Sequence, residues 1–444
     1  MANPFTLGVA SGEPLPDGVV LWTRLAPVPA HPDPKRPGGM PDRAVEVSWQ
    51  VAEDSRFTRV IQHGVTEAVP AWAHSVHVRV AGLRPGAEYF YRFRTGADLS
   101  SAGRTRTAND ETSTAAVRFA VANCQRYEHG PYTAYRHLAE ERPDVVFHVG
   151  DYIYELPQSE RPVRSLERAA EAVTLHDYRN RYARYKGDAD LRAAHAAAPW
   201  APTWDDHEVA NNYRGGAEES PAFRRRRAAA YQAYYEHQPL RVRPSAGSLR
   251  MYRRRTYGRV ADFLLLDARQ YRDATTMLGA AQERWLLDRL AASPVRWKVL
   301  VQPLFLARRF VPGPPPNLRA DAWDGYPGQR ARILAASRGL IVLSGDVHNF
   351  WAGELKADFL DASAPVTGVE FVASAVSSRP PATDAPAVLA ANPHLRFFDG
   401  HRGYLSGTAS ETGFRVAMRG VEPGGIRTVA EFVTDGLRII RADV

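Results

Sequence analysis

Asp151 follows the apolar run VVFHVG and is followed by tyrosines at 152 and 154, so a carboxylate and a phenol leave the end of one buried-looking strand together. Four other stretches repeat this pattern. Cys124 follows RFAVAN, Asp205, Asp206 and His207 follow PTW, Gln302 lies within KVLVQPLF, and Asp346 and His348 follow GLIVLSG. Thiolate, phenolate and imidazole suit transition metals, whereas carboxylate and carbonyl oxygens suit calcium or magnesium. Gathered in one crevice, such groups would hold cations, and a bound cation acidifies a bound water. His207, beside them, is a candidate general acid near neutral pH. If DDHEVANN forms a helical turn, Asn211 shares a face with His207.

The elements that must position these groups are strands alternating with helices. RFAVANC, DVVFHVGD, PTWDD, ADFLLLDA, KVLVQPLF and GLIVLSGD read as strands. YTAYRHLAEER, the Ala- and Arg-rich stretch 165–197, AFRRRRAAAYQAYYEH and AAQERWLLDRLAA read as helices. Open sheets of this kind bind ligands outside the carboxyl ends of their strands, which is where the candidate groups fall. After 348 the chain turns to strands again, through TVAEFVTDG and LRIIRADV at the end.

The amino-terminal part differs. VVLWTRL, VEVSWQV and HSVHVRV alternate with period two, and LRPGAEYFYRFR places Tyr89 just beyond a Pro-Gly turn, as in the tyrosine corner of β-sandwich modules. The polar segment 103–116 has the composition of a linker. The division expected is a fibronectin- or immunoglobulin-like sandwich over 1–110 and a catalytic domain over 111–444. The fold class is therefore α/β (α+β layered): two mixed β-sheets flanked by helices, preceded by an all-β sandwich.

The 444 residues carry a net charge of +8, which favours anionic partners. A single cysteine forbids an internal disulfide. No apolar run reaches the ~18–20 residues of a membrane span, so no membrane insertion is expected. MANPFTLGVASGEP lacks the basic and apolar regions of a leader, which leaves a cytoplasmic site open. The chain has no G-x-G-x-x-G after a strand, no G-x-x-x-x-G-K-[ST], no G-x-S-x-G and no H-E-x-x-H, which argues against nucleotide-binding oxidoreductases, serine hydrolases and zinc proteases. No nucleic-acid recognition module is present either.

GDYIY, WDDHE and SGDVH, with ANCQ, DARQYR and LGAAQERWL in order along the chain, resemble the blocks of the PhoD-like alkaline phosphatase/phosphodiesterase family, within the calcineurin-like metallophosphoesterases. The resemblance spans nearly the whole chain. It implies a centre of Fe3+ with one or two Ca2+, or another divalent metal at the second site, hydrolysing phosphate mono- or diesters. It implies Asp151 as the bridging carboxylate, and Tyr154, Cys124 and His348 on the iron side. Asp206 stands where the general pattern has asparagine and Asp346 where it has histidine, which shifts the second site toward oxygen ligands. Gln302 falls near the histidine of the remaining block. The family further implies a protein that is secreted or held at the cell surface; a monomer is expected. The terminal strands leave no helical lid.

Each residue also has an ordinary reading. Cys124 alone is a buried inert thiol, His348 a core histidine, and Tyr154 the next outward position of a continuing strand. Asp205 fits an outer hydrogen-bond partner as well as a ligand. Asp267 is expected to pair with Arg269 or Arg272, Asn349 offers a carbonyl, and WDGYPGQR, with Asp324, lines a substrate mouth or begins a helix. RRRR at 224–227 wraps a solvated helix face, and Tyr231, Tyr234 and Tyr235 fill core. Two other functions compete: a phospholipase D-like diesterase acting on phospholipids, and a non-catalytic binding module.

Overall fold

The computed structural model describes residues 3–157, 161–166, 170–216, 220–313 and 317–442. Two sheets lie face to face. In the first, Val117–Ala122, Val145–Val149 and Pro199–Thr203 run parallel as neighbours. In the second, Ala261–Leu265, Trp297–Val301, Leu340–Ser344 and Val366–Val372 do the same. Strands covered on both faces read as continuous apolar runs, and all five residues of Val145–Val149 are buried. Phe119 and Phe147 of one sheet pack on Phe263 of the other at centroid distances of 5.6 and 4.6 Å. Val299, Ile341 and Phe371 complete this inter-sheet core.

Helices cover the outer faces. Thr133–Glu141, Leu175–Lys186, Ala189–Ala197 and Pro221–His237 pack outside the first sheet through an aromatic-rich layer that buries Tyr231, Tyr234 and Tyr235. Leu175–Lys186 starts at a capping box between Thr174 and Asp177, and Pro221–His237 at the Ser220 hydroxyl. The stretch 165–197 thus holds two helices rather than one, and its residues 167–169 lie outside the described ones. Gly279–Ala292 and Pro327–Ala335 cover the second sheet. Among the described residues no helix is long and apolar enough to cross a membrane.

The amino-terminal strands do not form a closed pair of sheets of their own. Val9–Leu15 pairs in parallel with Pro199–Thr203, and Gly18–Arg24 and Ser75–Val80 extend the first sheet to ten strands. A separate five-stranded sheet, with Val45–Ala52 and Glu88–Thr95 at its centre, packs on that extension. Leu21 and Val78 from one layer meet Val47 and Phe93 from the other. Tyr89 makes the expected corner: its hydroxyl accepts from the Arg84 amide at 2.9 Å. The expected linker begins later than its composition indicates. Gly103–Arg106 is a strand paired with Glu88–Thr95, and only 107–116 lacks regular structure. The carboxyl terminus ends in the strands Gly425–Thr434 and Ile439–Arg441 at the sheet edge.

Candidate metal centre

Each parallel strand stops just before the crevice between the sheets, and the chain then turns sharply. Cys124, Asp151, Asp346 and His348 all have positive φ, at 53°, 56°, 69° and 59°. Non-glycine residues in this region store strain, and such strain concentrates at functional sites. Gly150, with φ 101°, allows the turn before Asp151, because a Cβ there would sit 2.4 Å from Asp205 Cβ. The loops are woven together. The amides of Cys124 and Gln125 donate to the carbonyls of Gly150 and Asp151, each at 3.1 Å. The Asn123 amide group donates to Ala373 and Ser374 carbonyls at 3.3 and 3.1 Å, tying the first sheet to the second.

Two clusters result, and Asp151 belongs to both. Ligand-type atoms of Cys124, Asp151 and His348 lie within 4.8 Å of one another, as do those of Asp151, Asp206 and His207. The Tyr154 phenol donates to Asp151 Oδ2 at 2.9 Å, lies 3.2 Å from His348 Nε2, and accepts from Ser378 at 2.8 Å. Cys124 Sγ lies 3.4 Å from the same Asp151 oxygen. His348 Nδ1 donates to the Arg379 carbonyl at 3.0 Å, which leaves Nε2 as the ring's free lone pair. Asp346 stands outside both clusters but close enough that its charge bears on Cys124, Asp151 and Asp205.

The electrostatics of the clusters follow from burial and from the crowding of acids. Burial, with Asp206 and Asp346 nearby, pushes Asp151 up to about 7. Burial and the carboxylates of Asp151, Asp346 and Asp205 push the Cys124 thiol well up, and burial with Asp151 does the same to the Tyr154 phenol. Burial likewise raises Asp346 and Asp205. Burial lowers His348 to about 4, so its ring is neutral, the form that ligates. Asp151 Oδ1 is buried with no hydrogen-bond partner among the described residues. Clustered acids held up by burial and by one another, an orphaned carboxylate oxygen, a thiol and a neutral imidazole together form a donor set that bound cations would satisfy. The residues present fit a metal centre.

Outer partners hold this set in place. Glu208 accepts from three amides, those of Asp151, Tyr152 and Asp205, at 3.2, 2.7 and 2.9 Å. Glu155 accepts from His207 Nδ1 at 2.7 Å and from the Asn211 amide at 2.6 Å. Burial opposes charge on His207, but the carboxylates of Asp206, Asp151 and Glu155 raise it to about 10. Arg269, fully buried, binds Asp205 Oδ1 at 2.5 Å and Asp321 Oδ2 at 2.9 Å, with Nη2 3.8 Å from Asp206 Oδ1. Arg272 holds the other Asp321 oxygen at 2.9 Å. Although burial works against its charge, Arg269 keeps Asp206 below the usual carboxylate range, with help from His207 and the Asn212 amide.

Several expectations need correction. DDHEVANN is a series of turns, not helix; Asn211 is exposed and reaches the site through its backbone amide on Glu155. Gln302 is spent on structure: its Oε1 accepts from the Leu304 amide at 3.0 Å and from Trp323 Nε1 at 3.2 Å, and its Nε2 donates to the Leu304 carbonyl. Asn349 likewise gives its carbonyl to Trp351 Nε1 at 2.6 Å. Asp324 pairs with Arg330 at 2.8 Å and accepts from the Arg309 amide. Asp267 caps the backbone of Arg269 and Gln270, while the guanidiniums of Arg269 and Arg272 turn to Asp205 and Asp321 instead. In 224–227, Arg226 pairs with Glu171 at 2.6 Å and Arg227 donates to the Gly215 carbonyl, so this run is not simply solvated. Glu155, Glu208, Arg269 and Asp321 were not anticipated. The first two stand inside or beside the quoted blocks GDYIY and WDDHE, which is the signal that could have found them.

The chain is similar to known phosphatases along nearly its whole length. Family models for the PhoD-like phosphatase and for its N-terminal domain match residues 119–418 and 1–109. Alkaline phosphatase D of Bacillus subtilis (strain 168) is 46% identical over 474 residues, which covers 97% of this chain and 80% of that protein. A solved structure of PhoD superimposes with a TM-score of 0.93 at 42% identity, covering 100% of this chain and 93% of that one. A purple acid phosphatase from yellow lupin seeds superimposes with a TM-score of 0.63 at 12% identity, over 96% of this chain and 73% of that one, which is a likeness of fold.

Proposed function

Because the chain belongs to the PhoD-like phosphatase family, we propose that its crevice hydrolyses phosphate esters at a centre of two or more cations that share Asp151. In this reading Cys124, Asp151, Tyr154 and His348 hold a ferric ion, and Asp151, Asp206 and Asp346 hold calcium or another divalent ion. When bound, these cations supply the positive charge that binds phosphoryl oxygens and the acidity that makes a water nucleophilic near neutral pH.

The chain's own residues do the rest. Asp151 is the side chain common to both clusters, so it fixes their spacing. Glu155 orients His207 through Nδ1, and the opposite ring nitrogen is then placed to protonate the leaving alkoxide. The Asn211 amide fixes the same glutamate from the other side. Glu208 clamps the turns that carry Asp151 and Asp205. Arg269 neutralises the excess acid around Asp205 and Asp206 without occupying a ligand position.

We read residues 1–110 as a module that buttresses the catalytic part, 111–444, through the parallel pairing of Ser11 with Pro199. Action as a monomer outside the cytoplasm belongs to the same reading.

The observation that carries the reading is the sharing of Asp151 by two clusters. The test is hydrolysis of a nitrophenyl monoester, its bis-nitrophenyl diester and phosphatidylcholine vesicles by wild type and Asp151→Asn. The expected result is turnover of at least one nitrophenyl ester by wild type and its loss in the variant. Turnover of phosphatidylcholine alone moves the substrate class to phospholipids. Equal turnover by both proteins removes the shared carboxylate from the mechanism.

A further inference from the structure

Both the ring face and the oxygen of Tyr154 are engaged by groups that the chemistry above does not use. The Arg126 guanidinium carbon lies 3.8 Å from the centroid of the Tyr154 ring, over its face. Arg126 Nη1 donates to the Leu156 carbonyl at 2.9 Å, which fixes the guanidinium there, and Glu128 stands 4.0 Å from the same nitrogen. The Arg126 amide donates to Ser378 Oγ at 3.2 Å, and the Ser378 hydroxyl donates to the phenol oxygen at 2.8 Å. Two further bonds tie these loops together. The Ser378 amide donates to the Cys124 carbonyl at 3.1 Å, and the Ser377 hydroxyl donates to the Arg126 carbonyl at 2.8 Å. The turn that delivers Cys124 to the crevice therefore also delivers a cation to the face of Tyr154. Tyr154 and Ser378 are fully enclosed, and Arg126 is 9% exposed.

The hydrogen bonds have only one sense. A backbone amide can only donate, so Ser378 Oγ accepts from Arg126 and its own proton is left for the phenol oxygen. The phenol proton goes to Asp151 Oδ2. A cation held by Tyr154 takes the place of that proton and leaves a phenolate. The phenolate keeps both other contacts, and both favour its negative charge. A guanidinium is attracted to an electron-rich ring face, and a donor binds an anionic oxygen more strongly than a neutral one. Burial strengthens each of these interactions. A staple for the loop after Tyr154 accounts for the bond to Leu156. It requires neither a cation over the ring nor a donor on the phenol oxygen.

We propose that Arg126 and Ser378 tune Tyr154 as a metal ligand, the guanidinium over the ring and the hydroxyl on the oxygen together drawing electron density from the phenolate. The inference deepens the phosphatase reading and rests on its assignment of ferric iron to Tyr154. Groups behind a ligand set the charge that the metal presents. A cation that receives less charge from its phenolate acidifies a bound water more. Arg126 and Ser378 are positioning residues that act through Tyr154.

The test loads the purified full chain with Fe3+ and reads the visible charge-transfer band from phenolate to iron. Iron content and circular dichroism are measured on each protein. The variants are Arg126→Met, Arg126→Lys and Ser378→Ala. A less stabilised phenolate gives up an electron at lower energy. Arg126→Met and Ser378→Ala are therefore each expected to move the band to longer wavelength and to make the iron harder to reduce in a mediated potentiometric titration. Arg126→Lys restores a cation and is expected to bring the band back toward wild type. Arg126→Gln keeps a donor for the Leu156 carbonyl and stands in for Arg126→Met should that variant not fold. If wild type takes up Fe3+ and shows no visible band, the ferric phenolate assignment fails and the inference falls with it. If wild type shows the band and neither uncharged Arg126 variant nor Ser378→Ala moves it, the tuning is overturned while the assignment stands. Loss of iron from the Arg126 variants with an unmoved band makes Arg126 a loop staple only, and a shift in Ser378→Ala alone likewise overturns its role.

Discussion

The Tyr154 phenol donates to Asp151 Oδ2 across 2.9 Å, so two residues three apart in the chain meet at one point in the crevice. A continuing strand would have carried them along the sheet instead. The left-handed turn at Asp151 and the Ser378 hydroxyl on the phenol set this meeting, and Cys124 and His348 arrive at the same place from other loops. Tyr154→Phe removes the phenol oxygen and little volume. The expected outcome is a folded protein whose metal content falls at this position, with loss of the visible absorption that a ferric phenolate gives. Elemental analysis and an absorption spectrum beside wild type check it.

Arg269 is fully buried between Asp205, Asp206 and Asp321. Removing one partner of a buried ionic network leaves uncompensated charge, at a cost of about 3–5 kcal/mol. Arg269→Met should therefore lower the unfolding free energy by that amount, read as a lower urea midpoint at an unchanged slope. Asp321→Asn should cost less, because Asp321 is partly exposed and Arg269 keeps Asp205.

Gln302 separates a structural amide from a ligand. Its oxygen is committed to the Leu304 amide and the Trp323 indole. Gln302→Met leaves those donors unsatisfied and should cost on the order of 1–3 kcal/mol. The metal content of the purified variant should equal that of wild type. A lower content would return Gln302 to the ligand set.

Acid should weaken the fold through its buried histidines. Burial lowers His148 to about 3, and neither ring nitrogen has a partner among the described residues. A folded-state value below the unfolded value of about 6.5 means that the unfolded chain takes up the proton first. Stability is then complete above about pH 6.5 and falls by about 1.4 kcal/mol per unit as the pH drops toward the folded value. His148→Phe retains an aromatic ring beside Trp200, where the imidazole now stacks at 5.9 Å. Its loss of stability between pH 7.5 and 5 should be smaller than that of wild type by about 2 kcal/mol. Urea titrations at the two pH values measure the difference.

The positions of the candidate ligands were legible because each follows a short apolar strand, and a parallel sheet aligns such ends. Cys124, Asp151, Asp206 and His348 needed only that rule, and they fall in the two clusters. What was not legible lies in pairings that no local pattern encodes. Arg269 finds Asp205 across 64 residues of sequence and Asp321 across 52, so the neighbouring Asp267 was the wrong partner to expect. The extension of the first sheet by Val9–Leu15 is of the same kind, since the alternation of a strand does not say which edge it joins. Gln302 read as a ligand by its place at a strand end, but its amide folds back on Leu304, two residues further along its own loop. Asn211 read as sharing a face with His207 by helical spacing, and the chain there turns on the Asp206 carbonyl without continuing into a helix.

The sharing of Asp151 between two cations is tested most directly by anomalous scattering from crystals of the purified protein, paired with elemental analysis of the same sample. Two anomalous peaks should appear in the crevice. The first should lie within about 2.5 Å of donor atoms of Cys124, Asp151, Tyr154 and His348, and the second at similar distances from Asp151, Asp206 and Asp346. A catalytically active crystal with no peak at Asp151, or with a single ion that Asp151 does not touch, would contradict the account.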